Sequence, residues 1–218
     1  MNWSEQVWQQ INPLYQKIQN LPFNQELMNG NLPTDKFKFY LAQDAYYLLE
    51  FGKTLASISG RMSDPGEVLA FSEFASGAIV VERQLHESYF EELGLPHHIK
   101  PSPTCLLYTN YIRNQAAFED LAIAVAAVLP CFWIYKKVGA YIYENQKEAL
   151  TNPYKKWIDT YAGAEFGEIV NRALSIANQM AATAGKLQRE NMSSVFIMAT
   201  KLEWMFWESA YRKEEWQV

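Results

Sequence analysis

Two cysteines and three histidines in 218 residues leave little material for several common enzyme chemistries. Cys105 and Cys131 are too few to staple a chain of this length, so no disulfide framework is expected and a reducing compartment would keep both as thiols. The histidines are His86 and the pair His97-His98 in a proline-bounded loop, so a Ser-His-Asp or Cys-His arrangement would have to recruit His86. A carboxylate-bridged di-iron bundle wants Glu-x-x-His on two helices. Here Glu82 and His86 are four apart with no second pair, so neither a metal nor another cofactor is expected, and a buried polar network is the favoured reading of both. Glycine is sparse, and neither a phosphate-binding loop nor a dinucleotide fingerprint is present. Basic charge is not in excess either. Nineteen Lys and Arg against 24 Asp and Glu give a net charge of −5, which disfavours a nucleic-acid partner. The opening residues Met1 to Gln6 lack a basic segment leading into an apolar one, so no secretory signal is expected and the cytoplasm is the expected location. The longest uncharged run, Leu121 to Tyr135, falls short of the roughly 20 residues needed to cross a bilayer, so no membrane association is expected.

What the chain does have is apolar and aromatic mass: 49% hydrophobic residues, with 7 Trp, 13 Tyr and 12 Phe. That is ample for a large core, and a buried Tyr hydroxyl needs a partner. Periodicity is helical nearly throughout, which predicts an all-α fold, and the lack of linkers or repeats predicts a single domain over residues 1–218. Punctuation places the helices. A first one is expected from Asn2 to Asn20, and a second from a capping Thr34 to about Met62. A third is announced by Ser63-Asp64-Pro65 and stopped by Gly94, and a fourth runs from Ser102-Pro103 to about Gln115. A fifth spans about Phe118 to Glu148. A short one follows Asn152-Pro153, another runs from Glu165 to about Leu187, and the last from a capping Asn191 to about Lys213. The run LAIAVAAVLPCFWIY in the fifth is apolar all round, the signature of a central buried helix, and Pro130 is expected to kink it beside Cys131.

Three acids interrupt apolar stripes. Asp44 falls among Phe37, Tyr40, Leu41, Tyr47, Leu48 and Phe51; Glu203 falls among Phe196, Ala199, Phe206 and Ala210; Glu82 interrupts the third helix. Burial of a carboxylate is costly without partners and raises its pKa toward values useful for proton transfer. Each alone reads most simply as a structural network. Two such acids beside Cys131, which shares a helix face with Tyr135, point instead to a site, because a tyrosine hydroxyl can hold a thiolate by hydrogen bonding. Cys105 has no distinctive neighbours and reads as a small core hydrophobe.

These segments together resemble the TenA/thiaminase II family, the aminopyrimidine aminohydrolases of thiamin salvage, in the subclass with an active-site cysteine. The resemblance spans essentially the whole chain. It rests on Pro22-Phe23 with Leu32-Pro33 and the segment Phe37 to Asp44, on Leu129-Pro130-Cys131-Phe132-Trp133-Ile134-Tyr135, on Trp157 to Tyr161 with Glu165-Phe166, and on Glu203 to Trp207 leading to Ala210-Tyr211. Departures are Leu21, where many members have His, and the Leu202-Glu203-Trp204 context. The resemblance implies a heme-oxygenase-like helical bundle without heme, usually a homotetramer. It implies Cys131 as nucleophile, Glu203 as acid/base residue, Asp44 as the acid that binds the pyrimidine, and Tyr47 as the tyrosine supporting the cysteine. Tyr108, Tyr135, Tyr161 and Phe206 match pocket residues. The implied reaction converts 4-amino-5-aminomethyl-2-methylpyrimidine to the hydroxymethyl compound and ammonia, with thiamin cleavage in the same pocket. The alternatives are a cofactorless or metal-dependent oxidase on the same bundle, or a non-catalytic ligand-binding or regulatory bundle.

Overall fold

The computed structural model describes residues 1–94, 99–146 and 151–217, without the side chains of 81–88 and 90–93. Glu82, His86 and the His97-His98 pair therefore lie outside the described side chains. Among the described residues every regular element is a helix: α1 (Trp3–Gln19), α2 (Pro22–Met28), α3 (Thr34–Ser59), α4 (Pro65–Leu93), α5 (Pro103–Phe118), α6 (Leu121–Asn145), α7 (Lys155–Ala162), α8 (Ala164–Thr183) and α9 (Lys186–Arg212). The fold is the all-α bundle that the periodicity implied.

Local chemistry explains most boundaries. Asn2 and Glu5 form a reciprocal capping box at the start of α1, each side chain satisfying the other's backbone N–H at 2.9 Å. Asp64 accepts from the Glu67 amide ahead of Pro65, and Ser102 accepts from the Cys105 amide ahead of Pro103. Gly94, at φ +65°, ends the described part of α4 in the left-handed region that glycine tolerates.

Three boundaries differ from expectation. Thr34 is the first helical residue of α3 rather than its cap; Pro33 occupies the cap position and no side chain closes that end. The fourth helix continues to Phe118, so α6 starts only at Leu121. The helix expected to reach Leu187 stops at Thr183, and α9 begins at Lys186 instead of after Asn191. The break falls at Ala184-Gly185, where glycine takes the cap position in open space and helix-compatible residues follow at once. Asn191, an exposed residue inside α9, was a capping type without a helix end to cap.

Helix α6 is the hub. It packs against α9, α7, α8 and α5, while α3 pairs with α4 and touches α5, α6 and α9. Its length and composition would suffice to cross a membrane, with a mean hydropathy of 1.7, yet 72% of that stretch is buried within the bundle. The helix runs unbroken through Pro130. Around it lies an aromatic core in which Tyr40 stacks on Trp207 at 5.4 Å, and Phe23 and Trp157 meet Trp207 edge-on at 5.5 and 5.7 Å. Trp207 is fully buried. Replacing it with alanine would open a cavity that four helices cannot collapse to fill, and is expected to cost about 3–5 kcal/mol by guanidinium unfolding.

Candidate active site

The polar residues that interrupted the apolar stripes meet inside the bundle. Asp44 and Tyr47 come from α3, Tyr108 from α5, Cys131 and Tyr135 from α6, Tyr161 from α7, and Glu203 and Phe206 from α9. All eight are buried, Asp44 and Glu203 each at 1% exposure. Helical spacing is what gathers them. Tyr40, Asp44, Tyr47 and Phe51 recur every three or four positions on α3, and Glu203 and Phe206 do the same on α9.

A cavity of about 590 Å³ opens onto this cluster, within the roughly 300–1,000 Å³ typical of small-molecule sites. Asp44, Cys131, Tyr135 and Tyr161 line it, with Phe51, Phe74 and Phe132 supplying apolar wall. Tyr47, Tyr108, Glu203 and Phe206 adjoin these lining residues in the same buried cluster. Tyr108 and Phe206, expected as pocket residues, both pack on the Tyr47 ring, at 4.9 and 5.6 Å. A wider groove of about 800 Å³ between α1 and α8 is lined by Trp8, Trp133, Asn178 and Gln179, and has neither a thiol nor paired acids.

The electrostatics are those of a dry, acidic interior. Tyr108 donates to Glu203 Oε1 at 2.7 Å. Burial pushes the Glu203 carboxyl up to about 8; the Tyr108 hydrogen bond opposes that shift, and the negative charge of Asp44 adds to it. Burial also raises the Cys131 thiol well above its ordinary value, reinforced by Glu203 and Asp44. The Tyr47 hydroxyl, facing the sulfur, pulls it back down. That hydroxyl lies between Cys131 and Tyr108 without strict hydrogen-bond geometry to either. The tyrosine hydroxyls of the cluster are themselves held protonated by burial and by the neighbouring acids. At neutral pH the site thus holds a protonated Glu203, a protonated thiol and a set of hydroxyl donors, a store of protons for transfer to a nitrogen heterocycle.

Some participants escaped the sequence reading. Tyr40 joins the site to the core: its hydroxyl meets the Tyr135 hydroxyl at 3.4 Å and accepts from the Trp157 indole at 3.1 Å. Its place one turn before Asp44 on the same face was the available signal. The corner between α7 and α8, with Asp159, Thr160, Gly163, Glu165, Phe166 and Ile169, forms the outer part of the cavity. Trp157 to Tyr161 and Glu165-Phe166 carried part of the family resemblance, but of this corner only Tyr161 was expected in the pocket. Cys105, in contrast, is core as expected, its thiol donating to the Gln43 carbonyl at 3.5 Å. Among the described residues no three His, Cys, Asp or Glu side chains converge as metal ligands.

Comparison with known proteins identifies the family and the fold. The model of the TENA/THI-4/PQQC family matches residues 8–213. An aminopyrimidine aminohydrolase from Bacillus subtilis is 32% identical over 89% of this chain and 84% of its own length. Another from Halalkalibacterium halodurans is 29% identical over 99% of this chain and 98% of its own. The solved structure of a TenA homologue from P. horikoshii OT3 superposes with a TM-score of 0.87 at 27% identity, covering 97% of this chain and 99% of that one. Motifs on α2, α3, α6, α7 and α9, the helical bundle and these matches lead to one assignment: the chain belongs to the TENA/THI-4/PQQC family and groups with its TenA/thiaminase II members.

Proposed function

We propose that the protein is an aminopyrimidine hydrolase of thiamin salvage that converts 4-amino-5-aminomethyl-2-methylpyrimidine and water to the hydroxymethylpyrimidine and ammonia. The observation that carries the reading is the meeting of one buried thiol, two buried carboxyl groups and a set of tyrosine hydroxyls at an aromatic-walled cavity. A 4-aminopyrimidine is flat and electron-poor, so Tyr135, Tyr161 and Phe132 offer it stacking surfaces. Its amino group and the adjacent ring nitrogen, once protonated, present two parallel donors, which match the two oxygens of the Asp44 carboxylate. That contact fixes which ring carbon faces Cys131.

The chemistry follows from the proton inventory. The Cys131 sulfur adds to the ring carbon beside the one bearing the methylene. The thiol proton passes to the amine on the methylene, and Glu203 supplies a proton to the ring nitrogen made basic by the addition. Aromaticity is broken, and the ring electrons expel the amine from the methylene as ammonia, leaving an exocyclic C=C bond. Water adds to that methylene carbon. The ring nitrogen returns its proton to Glu203, the thiolate departs and is reprotonated, and the aromatic ring is restored. A thiazolium leaving group in place of ammonia makes the same sequence a thiamin cleavage. Tyr47 stabilises the sulfur as it gains and loses negative charge. As part of the same reading the protein works in the cytoplasm as a homotetramer; light scattering of the purified protein checks the tetramer, and fractionation of cells checks the location.

The test is release of hydroxymethylpyrimidine from a substrate panel by purified protein without added metal, followed chromatographically. Absence of release from both the aminomethylpyrimidine and thiamin would overturn the reading. Within it, Asp44→Asn keeps the shape of the site but loses the charged acceptor pair. The expected result is a KM increase of about 10- to 100-fold, the range of a lost charge-assisted hydrogen bond.

A further inference from the structure

Cys131 and the outer wall of the cavity sit on different helices, and one glycine governs how closely those helices meet. Gly139 lies two turns beyond Cys131 on α6. An ideal Cβ at that position would stand 2.7 Å from Tyr161 Cβ, 2.8 Å from the Tyr161 carbonyl carbon and 3.0 Å from its carbonyl oxygen. Two of those three atoms are main chain, so no change of rotamer relieves the contact; the α7 backbone itself would have to move. Glycine is unfavourable inside a helix relative to alanine. Its presence in the middle of the most buried helix therefore needs a packing reason, and the direct seating of α7 on α6 supplies one.

The consequence reaches the cavity through Tyr161. Its ring lines the space beside Asp44 and Cys131, lies 4.9 Å from Tyr135 and 4.7 Å from Trp157, and meets Phe166 edge-on at 5.4 Å. After Tyr161 the chain turns at Gly163 into α8, and this corner supplies Asp159, Thr160, Glu165, Phe166 and Ile169 to the outer wall. None of Asp44, Cys131 and Glu203 lies on it. The pyrimidine-facing groups and the outer wall are thus separate pieces, joined where Tyr161 rests on Gly139. A second glycine sets the contrast: a Cβ at Gly167 would meet only the flexible end of the Lys136 side chain, which can swing away.

We propose that Gly139 is a positioning residue that seats the α7–α8 corner and thereby sets the leaving-group end of the cavity. The naming of that end rests on the hydrolase reading above; the seating of the corner does not. A methyl group at position 139 pushes α7 outward by about an ångström, a displacement that costs catalysis heavily when it falls on a substrate-positioning wall. Tyr161 itself stacks on the pyrimidine, so both substrates lose rate; the rest of the corner meets only the outer end, where ammonia and thiazolium leaving groups differ, so the ratio between them changes as well.

The experiment compares Gly139→Ala, Gly167→Ala and Ile158→Ala with wild type. The readouts are melting temperature, kcat/KM for the aminomethylpyrimidine and for thiamin, and the rate of Cys131 alkylation by iodoacetamide, read by peptide mass. Gly139→Ala is expected to change the ratio of the two kcat/KM values by about fivefold or more and to speed Cys131 alkylation by about threefold or more, as the wall moves off α6. Gly167→Ala is expected to stay within about twofold of wild type on both. Ile158 is a buried α7 residue, so Ile158→Ala loosens the helix without wedging it outward; it should lower the melting temperature while keeping the ratio. A folded Gly139→Ala protein with the wild-type ratio and alkylation rate overturns the proposal. Should Gly139→Ala not fold, a changed ratio in Ile158→Ala overturns it, because α7 would then be placed by its core packing, and a preserved ratio supports it. Wild-type protein that hydrolyses neither substrate sinks the hydrolase reading, while the alkylation comparison still decides the role of Gly139.

Discussion

Replacing Cys131 with serine is expected to lower hydrolysis of the aminomethylpyrimidine by roughly a thousandfold or more, with little loss of stability. The two side chains differ by one atom, so the packing of α6 survives. The chemistry does not. A thiol is a far stronger nucleophile than a hydroxyl, and the neighbours of Cys131 are a hydroxyl from Tyr47 and two acids, none of them a base able to activate serine at neutral pH. Burial holds the Cys131 proton firmly, so the free enzyme stores little thiolate. Sulfur becomes nucleophilic only as its proton leaves in the presence of a substrate that can accept one, which protects the thiol from adventitious alkylation and oxidation. The informative measurement is single-turnover hydrolysis by wild type and Cys131→Ser at matched melting temperature, with intact-mass detection of a pyrimidine adduct. Turnover by the serine variant within tenfold of wild type would remove Cys131 from the mechanism and leave binding by Asp44 and proton transfer by Glu203 as the working parts.

The positions that made this site legible were those where the chain violated its own pattern. Asp44 and Glu203 could be picked out because apolar stripes on α3 and α9 are otherwise continuous, and a buried acid is expensive enough that it needs a reason. Cys131 stood out by lying in the most apolar helix. Helix starts were readable from the cap-and-proline pairs at Asp64-Pro65 and Ser102-Pro103, because those signals are local. What stayed hidden depends on tertiary contact. Tyr40 looks like any other core aromatic until Tyr135 and Trp157 are placed against its hydroxyl. Gly139 looks like a weak point in a helix until the main chain of Tyr161 is seen to rest on it. The split between α8 and α9 at Ala184-Gly185 was missed for a related reason: a single glycine before helix-forming residues carries less signal than Asn191, whose capping chemistry goes unused in mid-helix.

Glu203→Gln separates function from stability, because the two should move in opposite directions. The carboxyl of Glu203 keeps its proton up to about pH 8 in the folded protein, against 4.5 for the ordinary carboxyl. Between those values the native state binds a proton that the unfolded chain has released, so stability is withdrawn as the pH rises through that window. Glutamine has no proton to lose, and its amide oxygen can still accept from Tyr108. The variant is therefore expected to gain on wild type in melting temperature as the pH is raised from about 6 to about 9, with the largest difference above about pH 8. Catalysis should suffer instead. Glutamine cannot exchange a proton with the ring nitrogen, and loss of a positioned general acid typically costs 10²- to 10⁴-fold. Wild-type kcat should also fall on the alkaline side near the pH at which Glu203 ionises, and that limb should be missing from the residual activity of the variant. A variant that kept wild-type kcat and the same alkaline limb would assign the limb to another group and take the proton-transfer role away from Glu203. One that lost activity and stability together at every pH would make Glu203 a structural acid held by Tyr108.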